Sequence, residues 1–197
     1  FFGAGQDLIY IAIRRPMKTP TAGTEVFMPV ARTGTGTTAA VTGVGFSPDL
    51  FIGNIRDTAG YWNGVVDRLR GIPKRLVSSQ TEAENTQTVI TSFDMDGLSL
   101  TSDGNGFANE NGKTYIEWLF KRAAGFMDEV VFDGNTAGTY PHTHNLTVVP
   151  ELIILKARGA TGSWEVGVDF TATGWRHLYL NATNSAASET TYATNDW

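Results

Sequence analysis

The 197-residue chain has no cysteine, which excludes disulfides and thiolate-held zinc or iron–sulfur centres. It has little charge: Asp, Glu, Lys and Arg make up 18% of it. Basic residues number 15 against 20 acidic ones, giving a net charge of -5, and this argues against a general nucleic-acid surface, which needs a basic footprint. No apolar run approaches the roughly 20 residues that span a bilayer, so no membrane insertion is expected. A secretory leader places basic residues before its apolar run. Here Arg14-Arg15 follow the run Leu8 to Ile13, the reverse order. The start Phe1-Phe2-Gly3-Ala4-Gly5 is not a usual initiator, and the expectation is a soluble piece of a longer chain.

What is abundant is threonine and glycine: 26 and 22 residues, together 48 of 197. Threonine favours strands and glycine favours turns, so the composition predicts an all-β protein, secreted or particle-borne. The hydrophobic share, 41%, is enough for a core. Strand-like runs recur between turn clusters. They are Leu8–Ile13, Val26–Val30, Asp49–Ile55, Tyr61–Arg70, Lys74–Val77, Val89–Phe93 and Tyr115–Lys121, then Val130–Phe132, Leu146–Val149, Leu152–Leu155, Trp164–Val168 and His177–Leu180. Long helical periodicity is absent, and the only helix-like stretches are Thr81–Asn85 and Thr183–Glu189.

A shift of 102 residues lays one part of the chain over another without a gap. Nine pairs are then identical: Pro48/Pro150, Leu50/Leu152, Ile52/Ile154, Arg56/Arg158, Gly60/Gly162, Trp62/Trp164, Asp67/Asp169, Leu76/Leu178 and Thr81/Thr183. With small length changes, Ile9–Arg15 resembles Ile116–Arg122, and Glu25-Val26-Phe27 resembles Glu129-Val130-Val131. A repeat of this period means duplicated structural units. Proline opens a strand at its edge, leucine and isoleucine two apart share a face, and glycine turns the chain. Trp62 and Trp164 are expected to anchor cores. The predicted organisation is unit 1 at 1–93, a turn-rich connector at 94–111, and unit 2 at 112–197.

The second unit runs through Asp96-Gly97-Leu98-Ser99-Leu100, Gly112-Lys113-Thr114-Tyr115-Ile116-Glu117-Trp118 and Val130-Val131-Phe132-Asp133-Gly134-Asn135. It continues with His144-Asn145-Leu146-Thr147-Val148-Val149-Pro150-Glu151-Leu152-Ile153-Ile154-Leu155-Lys156, Trp164 and Leu178-Tyr179-Leu180-Asn181. This order of elements resembles the repeat domain of tail-fibre-like and other virion structural proteins of tailed bacteriophages, marine ones especially. Tyr10 to Lys18 looks like the preceding repeat of the same kind. Such repeats often carry glycine two residues beyond Asn145, where this chain has Thr147. The resemblance implies two tandem β-sandwich units of jelly-roll or lectin-like type on a virion surface. It implies assembly with other virion proteins and with copies of itself, a homo-oligomer, and host-surface attachment through a glycan. It brings no catalytic residue and no cofactor, so no enzyme is expected. A carbohydrate-binding, lectin-like module is the second reading.

His142-Thr143-His144 puts two imidazoles on one strand face, without a third ligand nearby. Asp94, Asp96 and Asp103 do not follow the spacing of a calcium loop, and no metal is assigned. Glu117, Asp128, Glu129 and Asp133 are the carboxylates available for glycoside hydrolysis, and nothing in their spacing fixes a pair. Tyr61, Tyr140 and Trp175 are aromatics in polar, turn-rich segments, suited to packing on a sugar face. Arg68, Arg70, Lys74 and Arg75 form a basic run expected to meet Glu82 and Glu84 of a neighbouring copy.

Overall fold

A computed structural model describes residues 18–102, 106–133, 143–170, 174–185 and 187–188, with backbone alone for 169–170, 174–175 and 187–188. The expected strand Leu8–Ile13 and the site residue Tyr140 lie outside the described residues. The chain is all-β. Its strands are β1 (Phe27–Thr33), β2 (Ala39–Val41), β3 (Leu50–Ile55), β4 (Gly64–Asp67), β5 (Lys74–Val77), β6 (Asn85–Thr86) and β7 (Ile90–Asp94). They continue with β8 (Gly97–Leu100), β9 (Thr114–Phe120), β10 (Leu152–Lys156), β11 (Trp164–Phe170), β12 (Gly174–Tyr179) and β13 (Ala187–Ser188). Residues 81–84 and 183–185 are not helical. In the first stretch, the Glu84 amide is drawn into a hydrogen bond with the Arg158 carbonyl at 2.8 Å, which a local helix does not provide.

Among the described residues three antiparallel sheets form, with strand orders β1-β9-β3-β4-β5-β6, β2-β8-β7 and β10-β11-β12-β13. Alternation in β9 explains why it is central. Tyr115, Glu117 and Leu119 are buried on one face, while Ile116, Trp118 and Phe120 are half-buried on the other, the mark of a strand covered on both sides. It pairs with β1 through Phe27↔Phe120 to Thr33↔Thr114 and with β3 through Leu50↔Phe120 to Ile55↔Tyr115. The main core lies between the first two sheets. Phe51, Val66 and Leu119 meet Val41, Ile90, Leu98 and Leu100 there. The 94–111 segment supplies β8 and the buried residues Phe107, Ala108 and Asn109 to this core.

Gly64 shows how tightly that core closes. A Cβ there would lie 1.4 Å from Phe107 Cε2. Replacing Gly64 with alanine is expected to destabilise the fold by about 1–3 kcal/mol, read as a lower denaturant midpoint.

The repeat reappears as two meanders, β3-β4-β5 and β10-β11-β12. Leu50 faces Asp67 and Leu152 faces Val168; Gly64 faces Val77 and Glu165 faces Tyr179. Under the 102-residue shift both registers agree to within one residue. Phe51 and its counterpart Ile153 both point into cover. Val130–Phe132 and Leu146–Val149, expected as strands, have no ladder partner among the described residues. Their apolar side chains Val130, Val131, Phe132, Val148 and Val149 are exposed.

Candidate functional site

The most built feature is the joint at which the second meander meets the first. Trp164 opens β11, and its ring is buried against Val65 and Leu76, with Leu50 and Ile52 beside them. The alternation of β3 explains the fit. Phe51 faces the main core, so Leu50 and Ile52 face the other way and need cover. The Trp164 indole Nε1–H donates to the Val77 carbonyl at 2.8 Å, satisfying the ring's polar end in a buried place. Two residues earlier, the Gly162 amide donates to the Thr81 carbonyl at 2.8 Å. Arg158 closes the joint with a forked pair of bonds to Glu84, Nε to Oε2 at 2.9 Å and Nη2 to Oε1 at 3.2 Å.

Glu84 is also the centre of the basic run. Arg70 reaches it through Nη1 at 3.3 Å, and Lys74 Nζ lies 3.8 Å away. Burial pushes the Glu84 carboxyl up, but the hydrogen bonds and charges of Arg158 and Arg70 outweigh it and hold the group below its ordinary value. Arg70, only 5% exposed, also bonds Asp67 and the Val65 carbonyl. Arg75 donates to Asn85 at 3.0 Å and lies over the Phe107 ring. Arg68 holds Asp49, Ser47 and the Pro48 carbonyl and stacks on Phe93. The acidic partner read from the sequence as a neighbour's Glu84 is thus Glu84 of the same chain.

Beside this network sits Glu129, with a buried Oε2 that has no hydrogen-bond partner among the described residues. Burial, then the negative charge of Asp67, raise its pKa from 4.5 to about 8, against the opposing pull of Arg70 and Arg122. A carboxyl whose folded value lies above its unfolded value is fully tolerated below pH 4.5, and its penalty grows until pH passes about 8. Stability should therefore fall with rising pH across that window, by at most about 1.4 kcal/mol per pH unit from this group. Glu129→Gln, which mimics the protonated acid, is expected to flatten that slope in urea titrations at pH 5 to 8.

The other carboxylates have structural partners. Asp96 accepts from the Gly43 and Gly45 amides at 3.0 and 2.6 Å, and Asp94 from the Ser92 and Ser99 hydroxyls. Asp128 takes Arg122 Nε at 2.7 Å and the Asn145 amide at 2.7 Å. Glu117 is completely buried and bound by Arg32 Nε at 2.9 Å, with Oε2 unpartnered among the described residues. Burial raises its pKa, and the Arg32 bond and charge oppose that without cancelling it. Among the described residues no cluster of three or more His, Cys, Asp or Glu is placed to hold a metal ion. His144 Nδ1 accepts from the Leu146 amide at 3.2 Å, and His142 lies outside the described residues.

Thr147, where glycine is usual in the resembling repeats, has φ +66°. A β-branched residue in the left-handed region is strained by about 1–3 kcal/mol. Thr147→Gly is expected to raise the melting temperature.

Of the aromatic candidates, Tyr61 is half-buried, and its ring fills the space a side chain at position 106 would need: a Cβ on Gly106 would fall 2.0 Å from Tyr61 Cε1. Trp175 stands on β12 opposite Asp169, and its side chain lies outside the described residues. Trp62, read as a core anchor, is instead 46% exposed. It precedes β4 by two residues, whereas its counterpart Trp164 begins β11. The sequence missed the joint, although its signal was present. Arg158, Gly162 and Trp164 on one side, and Leu50, Ile52, Leu76 and Thr81 on the other, are all members of identical pairs in the repeat.

An open cavity of about 140 Å³ is lined by Asp128, Val130, Phe132, His144, Leu146, Pro150 and Leu152–Leu155. Ligand pockets run to roughly 300–1,000 Å³, so this one is small for an organic ligand.

A family model described as a domain of unknown function, DUF7483, matches residues 22–196. No curated protein and no solved structure matches the chain.

Proposed function

The chain belongs to the DUF7483 family, a domain of unknown function, and from that premise we propose that its role is structural: a virion protein, part of a phage tail fibre or another surface appendage, acting in assembly and in attachment to the host surface. The observation that carries this reading is the joint. Two repeats of one meander are clamped by Trp164, by backbone bonds and by a forked Arg158–Glu84 pair. Most of the carboxylates available for chemistry hold strands and turns, Glu129 excepted: Glu117, Asp128, Glu84, Asp94 and Asp96 each have a structural partner. The order of sequence elements resembling phage appendage repeats points the same way. In this reading the two meanders are the hearts of two tandem β-sandwich units, built to be stiff outside a cell. It makes the protein no enzyme, needs no cofactor, and gives it copies of itself and other virion proteins as partners. Native mass spectrometry is the test: a concentration-dependent homo-oligomer is expected, and a strict monomer at every concentration counts against the proposal.

A second reading, a glycan-binding lectin-like module, is favoured by the exposure of Trp62 beside Tyr61 and Asn63. An exposed ring flanked by polar groups suits the apolar face of a sugar. Binding on a glycan array that is lost in Trp62→Ala would establish it, and a flat array would remove it.

A further inference from the structure

The joint has two halves, and the repeat duplicates the donor half and the apolar part of the acceptor half. The donor half is Arg158, Gly162 and Trp164; the acceptor half is Leu50, Ile52, Leu76 and Thr81. Within the chain, the second repeat's donors meet the first repeat's acceptors. That leaves a second donor half in the first repeat, Arg56, Gly60 and Trp62, and a second acceptor half in the second repeat, Leu152, Ile154, Leu178 and Thr183. Each of these seven residues is identical to its used counterpart, but Val65 and Glu84, which complete the used acceptor half, are Gly167 and Ala186 in the second repeat, so the spare acceptor half keeps the three leucine and isoleucine contacts and Thr183 and lacks the carboxylate. Most of both spare halves faces solvent, Leu178 being half-buried. Arg56, Gly60 and Thr183 are exposed, Trp62 is 46% exposed, and Leu152 and Ile154 are 55% and 46% exposed. Exposed apolar side chains gathered on one surface mark an interaction site. Their used equivalents Trp164, Leu50 and Ile52 are buried or half-buried.

We infer that the spare donor half of one copy seats on the spare acceptor half of the next, repeating between copies the tryptophan packing and the glycine–threonine backbone bond of the joint made within each, without its arginine–carboxylate pair. The fit is that of a surface to a known partner. Trp62 would lie against Leu152, Ile154 and Leu178 as Trp164 lies against Leu50, Ile52 and Leu76. The Gly60 amide would meet the Thr183 carbonyl as Gly162 meets Thr81. Were the two halves to close within one chain, Trp62 would be covered; its exposure favours the second copy. Donor and acceptor are different surfaces, so the contact is head-to-tail and extends into a ring or a filament.

This inference rests on the assembly reading above and is tested by mixing two variants. Trp62→Asp removes the donor, and Ile154→Asp removes the acceptor. Each alone should be a monomer in native mass spectrometry where the wild type is oligomeric. Mixed, they should form a capped 1:1 dimer, because each retains the half the other lacks; this also shows that both are folded. If the wild type assembles and either variant still does so alone, the joint proposed here is wrong while assembly stands. If the variants stay apart on mixing although both melt cooperatively, the head-to-tail pairing is wrong. A monomeric wild type overturns this inference and the structural reading together.

Discussion

Trp164→Ala should cost about 3–5 kcal/mol of unfolding free energy, and Trp62→Ala less than about 1, although the two tryptophans hold the same place in the repeat. The difference follows from burial. Trp164 is 7% exposed and packs on Val65 and Leu76, whereas Trp62 is 46% exposed. Truncating Trp164 removes the contact area and opens a cavity between the meanders. It also deletes the indole N–H that serves the Val77 carbonyl at 2.8 Å. The loss should appear in two ways in guanidinium titrations. The midpoint falls, and the second meander becomes more prone to open by itself, so amide exchange in β10 to β12 accelerates more than in β3. Equal costs for the two tryptophans, measured on monomeric protein, would mean that the ring is not what fastens the repeats.

That contrast also locates what could be read from the sequence. The all-β class was legible because threonine, glycine and short apolar runs each act locally. Lys74–Val77 coincides with β5, and Leu152–Leu155 nearly with β10. The duplication was legible too, as two meanders of matching register. Its meaning was not. Identical residues in two units look like two copies of a core, but Trp164, Leu50 and Leu76 are conserved between the repeats at the joint, which no single unit contains. β8 was hidden in the turn-rich 94–111 segment because Asp94 and Asp96 flank a tight hairpin, Asp94↔Gly97. The place of β9, between β1 and β3, joins residues at least 60 positions apart, and local pattern carries no information about such pairing. Arg70 and Glu84 show the same limit. Their charges suggest solvent, and only the fold reveals that the run is paired within the chain.

Arg32→Met should be about as damaging as the loss of Trp164, for an electrostatic reason. Glu117 sits on the core face of β9, between Tyr115 and Leu119, at 0% exposure. Arg32, on the neighbouring strand β1, is the cation that makes its burial tolerable. The same guanidinium donates to Asn109 Oδ1 at 3.0 Å and to the Ala108 carbonyl, and it lies over the Tyr115 ring. Asn109 in turn donates to the Thr37 and Thr101 carbonyls at 2.7 and 2.9 Å. One side chain therefore ties β1, β9 and the 101–110 segment together. Removing one member of a buried ion pair typically costs about 3–5 kcal/mol, because the other charge is left uncompensated. The pH dependence separates that charge effect from lost packing. Glu117 already has a raised pKa, and in Arg32→Met both opposing influences vanish, so it rises further. A raised folded pKa means the penalty is absent below the unfolded value near 4.5 and grows as pH rises. The variant should thus approach wild-type stability at acid pH and lose ground towards neutrality. Adding Glu117→Gln should restore most of the loss at pH 7, leaving the part owed to Asn109 and Ala108. A deficit in Arg32→Met that is unchanged between pH 4.5 and 8, and not relieved by Glu117→Gln, would assign the role of Arg32 to packing and to its bonds with the 101–110 segment rather than to charge.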